Sequence, residues 1–101
     1  MHWKRSEFES ALDPGSLAEV MSRELTDRLL SSSDPEIESR SIVDELRSDG
    51  HDLFSWDEST DFQVWGDSYV APTGKNRIII EFNYPEDEPP SVEVTFGPWP
   101  K

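Results

Sequence analysis

Two histidines are the side chains of this sequence that could act as a general base near neutral pH with an ordinary pKa. His2 lies at a terminus that we expect to be mobile. His51 precedes Asp52, as in an acid–base dyad, but side chains adjacent in sequence often point apart. No serine stands in the strand-to-helix context of a nucleophile elbow. We therefore expect no catalytic role for His51 and place it at a surface turn.

The carboxylates of Asp57, Glu58 and Asp61 are close enough in sequence to suggest a hard cation, but their spacing lacks the alternating ligands and the glycine of a calcium loop. The chain has no cysteine, which removes thiolate metal sites, disulfides and cysteine nucleophiles. No phosphate-binding or dinucleotide-binding glycine pattern occurs. The sequence predicts no catalytic, cofactor or metal site, and a protein that is not an enzyme.

Charge is the strongest signal in the sequence. The chain has 22 acids against 9 bases, a net charge of −13. Such a chain repels nucleic-acid phosphate, so we expect no direct nucleic-acid binding, whereas it attracts basic proteins. Residues 34–67 hold 11 of the acids and only two bases, Arg40 and Arg47. A need for solubility does not concentrate charge in one third of a chain, but a binding face does.

The segment 56–67, WDESTDFQVWGD, sets three large aromatic rings among four acids and no base. Aromatic anchors with a polar rim are typical of protein-binding patches. The rest of the sequence must tell which of these side chains face a partner and which enter the core. Trp56 follows Leu53 and Phe54, so we expect it in the core.

The first half of the sequence is helical in pattern. A short helix is predicted over 3–12, ended by Asp13-Pro14-Gly15, and a second over 17–31 with Ser16 as N-cap and Glu19 completing a capping box. A third helix is predicted to begin at Asp34-Pro35-Glu36 and to end at Gly50.

The second half changes to the period of β-strands, with strands predicted over 62–70, 77–84 and 92–96 and a short extra strand between Leu53 and Trp56. Residues 72–76 are predicted to form the turn after the first of these strands, and 85–90 a loop. The prolines of the tail 97–101 are expected to end the ladder, so that Trp99 folds back over an edge of the core.

We therefore predict an α+β fold, with two to three N-terminal helices packed on one face of a three- to four-stranded antiparallel sheet. The chain is predicted to be a single domain over 1–101, with a helical part at about 3–49 and a sheet part at about 53–97. No apolar run follows Lys4 and Arg5 as in a signal peptide, and none is long enough for a membrane span. A cytoplasmic location without membrane contact is the default expectation.

Alternation along the first strand decides the predicted site. If Phe62 and Val64 lie under the helices, then Trp65 and Tyr69 lie on the open face, beside Ile79 and near Asp67, Glu81 and Glu93. The alternative is that a helix or the tail covers that face and makes both rings core residues. Nine residues are predicted to contact a partner: Asp44, Glu45, Asp57, Glu58, Asp61, Trp65, Asp67, Tyr69 and Glu81.

In size, acidity and helix-then-sheet order, with WDESTDFQVWGD and the strand after it as its centre, the chain resembles the small acidic immunity proteins of bacterial toxin–immunity systems. The resemblance implies a cytoplasmic, cysteine-poor α+β protein that neutralises a basic toxin enzyme by covering its active site or substrate surface. It rests on no shared motif, so no residue of that class is carried over to this chain.

Two other classes fit the same charge. A nucleic-acid mimic would inhibit a restriction or CRISPR-type machine, but it needs carboxylates spaced along a continuous ridge and little aromatic anchoring. A secretion chaperone or adaptor would be an obligate dimer that offers apolar grooves to a client. The sequence leaves the oligomeric state and the identity of the partner open.

Overall fold

A computed structural model describes residues 3–55, 66–85 and 87–99 of the chain. Three helices come first: α1 (Arg5–Ser10), α2 (Pro14–Ser31) and α3 (Pro35–Ser48). Four strands follow: β1 (Phe54–Ser55), β2 (Gly66–Thr73), β3 (Asn76–Asn83) and β4 (Ser91–Pro98). They form one antiparallel sheet in the order β1-β2-β3-β4. The predicted α+β fold, with helices preceding an antiparallel sheet, is confirmed.

The two long helices begin with the same device, an Asp before a Pro. The Asp34 side chain accepts a hydrogen bond from the Ile37 amide (3.3 Å), as expected for an N-cap with proline at the first helical position. Asp13 does the same for α2, with its side chain accepting from the Ser16 amide (3.1 Å) and the Ser16 hydroxyl (2.7 Å). The prediction that Ser16 is the N-cap is wrong, because Pro14 already adopts the helix and Asp13 takes the cap.

The inner face of the sheet is the one that the helices cover. It joins alternate residues of β3 and β4 to the apolar stripes of α2 and α3 in a single core. The buried members of this core on the long helices and on strands β3 and β4 are Ala18, Met21, Leu25, Leu29, Ile42, Val43, Leu46, Ile78, Ile80, Phe82, Val92 and Val94. Trp3 and Phe8 add two rings from the N-terminal segment.

Helix α2 also closes the free edge of β4 with two hydroxyl groups one helical turn apart. The Thr26 hydroxyl accepts from the Val92 amide (2.9 Å) and donates to the Val92 carbonyl (3.1 Å). The Ser22 hydroxyl accepts from the Val94 amide (2.8 Å) and lies 3.3 Å from the Val94 carbonyl. An edge strand exposes unpaired backbone groups that invite a foreign strand, and here a helix supplies their partners.

Strand β2 departs from the prediction in both its bounds and its orientation. It runs from Gly66 through Pro72 to Thr73, so the turn to β3 is only Gly74-Lys75, with Gly74 at φ +60°. Pro72 is tolerated because β1 pairs only with Tyr69 and Val70, which leaves β2 as an edge at Pro72. Phe62 and Val64, on which the predicted orientation of this strand was based, lie outside the described residues.

The chain's last strand also runs further than predicted. Arg77 pairs with Gly97 and Asn76 with Pro98, so the ladder continues to the first proline of the tail because Pro98 sits at the strand's end on the outer edge. The prediction that Trp99 folds back over the core is wrong. Trp99 lies beside Arg77 and is 37% exposed. In the part of the chain that the structure describes, no helix is long and apolar enough to cross a membrane.

Replacing both edge-closing hydroxyls, in Ser22→Ala/Thr26→Ala, should lower the free energy of unfolding by about 1–3 kcal/mol for each site. The reason is that the Val92 and Val94 backbone groups would lie against the helix without partners. Urea unfolding followed by circular dichroism measures the loss. Ser41→Ala, at an exposed position of α3, is the matched control and should change stability by less than about 0.5 kcal/mol. A double variant as stable as this control would show that α2 does not satisfy the β4 edge.

Candidate functional site

The outer face of the sheet, opposite the helices, carries three rows of side chains that the strand register defines. The middle row is Phe54, Val70, Ile79 and Thr95. The row on one side of it is Ser68, Glu81 and Glu93, and the row on the other side is Pro72, Arg77 and Gly97. Apolar side chains thus cross the sheet between an acidic row and a row with one cation.

Exposure varies along the middle row. Val70 is fully buried and Ile79 beside it is half-buried, whereas Thr95 is exposed and Phe54 is 47% exposed. The Phe54 ring is therefore the most accessible apolar side chain of this row.

The acidic row places two carboxylates directly opposite each other. Glu81 on β3 pairs with Glu93 on β4, and its neighbour on β2 is Ser68. Burial, and then the charge of Glu93, raise the pKa of Glu81 above its ordinary value. Like charges that face each other across strands destabilise a sheet. This pair therefore costs folding energy that a cationic group placed on the outer face would recover.

The opposite row ends in a contact between a cation and an aromatic ring. The Arg77 guanidinium carbon lies 5.7 Å from the centre of the Trp99 ring, within the range of a cation–π interaction. Trp99 follows the last residue of β4, so it extends the outer face beyond the end of the ladder. The outer face is negative at the Glu81 end, apolar in its middle and positive at the Arg77 end.

The structure bears out one predicted orientation and overturns two. Glu81 lies on the outer face together with Ile79 and Glu93, as predicted. Tyr69 pairs with Ile80, and Asp67 pairs with Phe82. Tyr69 and Asp67 therefore lie on the inner face, and the prediction that they lie on the outer face is wrong. The Tyr69 ring packs edge-on against Phe82, with centroids 6.0 Å apart, and is half-buried; Asp67 is exposed.

The physical reason for the error is the period of a strand. A shift of one residue in the assumed alternation exchanges the two faces for every side chain of the strand. The buried Ala71, which shares its face with Tyr69, sets the true alternation. Ala71, taken with the two-residue turn at Gly74-Lys75, was the signal in the sequence that could have corrected the assumed alternation of β2.

The two predicted acids of α3 differ in their surroundings. Asp44 is exposed, as a partner contact requires. Glu45 instead accepts a hydrogen bond from Arg28 of α2 (2.6 Å), and Arg28 also binds Glu38 through Nη2 (2.7 Å) and Nε (3.1 Å). This bridge joins α2 to α3, so the Glu45 charge is partly neutralised within the protein. Asp57, Glu58, Asp61 and Trp65, which were predicted to contact a partner, lie outside the described residues, as does Trp56, which was predicted to lie in the core.

His51 and Asp52 diverge, as neighbours in sequence often do. Asp52 is exposed, whereas His51 is 3% exposed and donates a hydrogen bond from Nε2 to the Trp3 carbonyl. The prediction of a surface turn for His51 is wrong, because the N-terminal segment folds over it. Among residues 3–55, 66–85 and 87–99, no group of three or more acidic or histidine side chains is arranged to hold a metal ion.

Sequence reasoning missed Phe54 and Trp99 as members of the outer face. The short strand expected near Leu53 exists, and since Leu53 is buried in the core, alternation puts Phe54 on the other side. No family model matches the chain, and neither a curated protein nor a solved structure was found to match it.

Removing one charge of the facing pair, in Glu93→Gln, should raise the free energy of unfolding by about 0.2–1 kcal/mol near neutral pH. The pKa of Glu81 should also fall toward its ordinary value, with the part due to burial remaining. Because a raised pKa opposes folding only where the carboxylate is ionised, the gain should disappear below the ordinary pKa of glutamate, about 4.3. Urea unfolding at neutral and at acidic pH measures both effects.

Glu24→Gln is the control for that experiment. Glu24 is exposed on α2 and has no ion pair with the described residues, so its variant changes the net charge equally without relieving a facing pair. If Glu93→Gln stabilises the protein no more than Glu24→Gln does, the repulsion between Glu81 and Glu93 is negligible.

Proposed function

We propose that this protein is an acidic binding protein whose outer sheet face docks on a basic protein partner. The observation that carries the proposal is the facing pair Glu81 and Glu93 on the same sheet face as the exposed ring of Phe54. The pair is a charge arrangement that opposes folding, and the pKa of Glu81 is raised by burial and then by Glu93; perturbed carboxylates of this kind are found more often at functional sites. A cationic group from a partner would relieve it.

The composition of the face favours a protein over other ligands. Phe54 and Ile79 of its middle row supply accessible apolar area, and the acidic row supplies charge at the rim, which is the usual division in protein interfaces. The net charge of −13 adds a long-range attraction that speeds the approach of a basic partner. Asp44, exposed on α3, adds to that field.

A second copy of the chain is a poor partner for this face. A two-fold symmetric dimer through the outer face would bring two copies of the same acidic chain together. Two chains that each carry −13 would repel at long range. Charge complementarity therefore points to a different, basic protein.

The specific role that we propose is inhibition, in the manner of an immunity protein that neutralises a basic toxin enzyme. The acidic protein would cover the cationic active site or substrate surface of the enzyme and exclude the substrate by occupying its place. A nucleic-acid mimic is less well supported, because the acidic row is bordered by Phe54 and Ile79 instead of continuing as a ridge of carboxylates.

The proposal can be tested by affinity capture with charge-matched variants. The wild-type chain, Glu81→Gln/Glu93→Gln and the control Glu19→Gln/Glu24→Gln are immobilised and exposed to a lysate of the organism that encodes the protein. Both double variants lose two negative charges, but the control loses them from exposed positions of α2. We expect the wild type and the control to retain one stoichiometric basic protein at physiological salt, and the outer-face variant to lose most of it.

The retained protein is then assayed for enzyme activity with and without this chain. Inhibition by the wild type and the control, but not by the outer-face variant, is the expected outcome. Equal retention by all three proteins would overturn the assignment of the outer face. Recovery of a large nucleic-acid-processing complex would favour the mimic, and a salt-sensitive mixture of basic proteins would mean that the charge serves solubility.

The kinetics of the complex should divide between charge and burial. Phe54→Ala should leave the association rate within about threefold of the wild type and raise the dissociation rate about tenfold or more, since it removes short-range contact only. Glu81→Gln/Glu93→Gln should lower the association rate and make it less dependent on salt. Surface plasmon resonance over a salt series measures both, and equal effects of the two changes on the association rate would contradict this division.

A further inference from the structure

Residues 3–10, which comprise Trp3, Lys4 and α1, form an N-terminal strap across the end of the core. Two buried rings, Trp3 and Phe8, hold it by apolar contact. Hydrogen bonds also fasten it to other elements. The Arg5 amide donates to the Asp49 carbonyl (3.1 Å), and the Gly74 amide in the β2–β3 turn donates to the Glu9 carboxylate (2.7 Å).

A buried imidazole lies directly beneath this strap. His51 follows α3 and is 3% exposed, with its Nε2–H donated to the Trp3 carbonyl. The Phe8 ring meets the His51 ring edge-on, with centroids 5.8 Å apart and planes at 75°. Two residues of the strap thus contact His51 directly, so the protonation state of this ring acts on the strap's own attachment.

The charged groups around His51 come from both sides of the contact. Arg5 and Glu9 belong to the strap, and Asp49 belongs to the end of α3. Burial lowers the pKa of His51 below its ordinary value and outweighs the hydrogen bond to the Trp3 carbonyl and the charges of Asp49 and Glu9, which raise it; Arg5 lowers it further. The neutral ring is the form that suits the closed strap, because burial penalises the charged ring more than the Trp3 carbonyl stabilises it.

We propose that the strap is a proton-sensitive element: a proton on His51 loosens residues 3–10 from the core while the sheet and the two long helices stay folded. A protonated ring carries a positive charge whose cost is raised by burial under Trp3 and Phe8, and opening the strap exposes the charged ring to water. Opening also releases the Glu9 contact to Gly74, which anchors the turn between β2 and β3. The strap thereby links His51 to two of the strands that form the outer face.

The direction of the pH effect follows from linkage. The open state has an ordinary histidine pKa of about 6.5, and the closed state a lower one. Above the ordinary pKa, His51 is neutral in both states and the strap is at its most stable. As the pH falls below it, the open state takes up a proton first, and opening becomes progressively easier until the closed state also protonates.

Amide hydrogen exchange measured by mass spectrometry tests the proposal on the full chain, with rates corrected for the intrinsic pH dependence. Between about pH 7.5 and about pH 5.5, protection of the amides in residues 3–10 should fall about fivefold, while that of α2 and β3 stays within about twofold. In His51→Gln, whose amide can still donate to the Trp3 carbonyl, protection of the strap should be independent of pH over this range.

Glu9→Gln is a control that weakens the anchor to Gly74 and keeps the His51 ring, removing only the smallest of the charges that act on its pKa. It should reduce protection of the strap at both pH values and leave the pH dependence in place. If His51→Gln fails to fold, a nuclear magnetic resonance titration of His51 in the wild type replaces it, and a pKa at or above the ordinary value overturns the proposal. An equal loss of protection throughout the chain, or the same pH dependence in His51→Gln, also overturns it.

Discussion

The seating of α2 along β4 is the interaction on which the rest of the structure depends. Two hydroxyls, from Ser22 and Thr26, meet the backbone groups of Val94 and Val92 that β3 leaves unpaired. The same helix buries Met21, Leu25 and Leu29 in the core. Because polar and apolar contacts hold α2 at one edge and one face of the sheet, they decide which face is inner and which is outer.

The charge of the protein is divided between structural and unsatisfied groups. Arg28 holds Glu38 and Glu45 and so fastens α3 to α2, which is an internal use of two of the acids. Glu81 and Glu93 face each other instead of a base, and burial raises the cost of ionising Glu81. A second molecule that carries a cationic group could relieve the repulsion between Glu81 and Glu93. The bridged pair Glu38 and Glu45 offers no such gain, and in this the outer face differs from the surface of α2 and α3.

Much of the fold could be predicted from local patterns because those patterns have local physical causes. The Asp34-Pro35 entry of α3, the ending at Gly50 and the period of two in β3 each depend on a few neighbouring residues, and each was found as predicted. The face on which Tyr69 lies depends on register with β3, which is a contact across the sheet, and the assumed alternation was off by one residue. His51 was placed at the surface because nothing in its neighbourhood reveals that Trp3 and Phe8 fold over it.

The sequence by itself determined the net charge, the absence of cysteine, the order of helices and strands and the presence of Glu81 beside apolar β3 residues. These are properties of composition and short-range periodicity, and they are present in the unfolded chain. Only the tertiary structure decided that Glu93 stands opposite Glu81, that Arg28 neutralises Glu45, and that Trp99 lies beside Arg77. The physical reason is that such contacts join residues far apart in the chain, and their partners are chosen by which surfaces pack together when the core is buried.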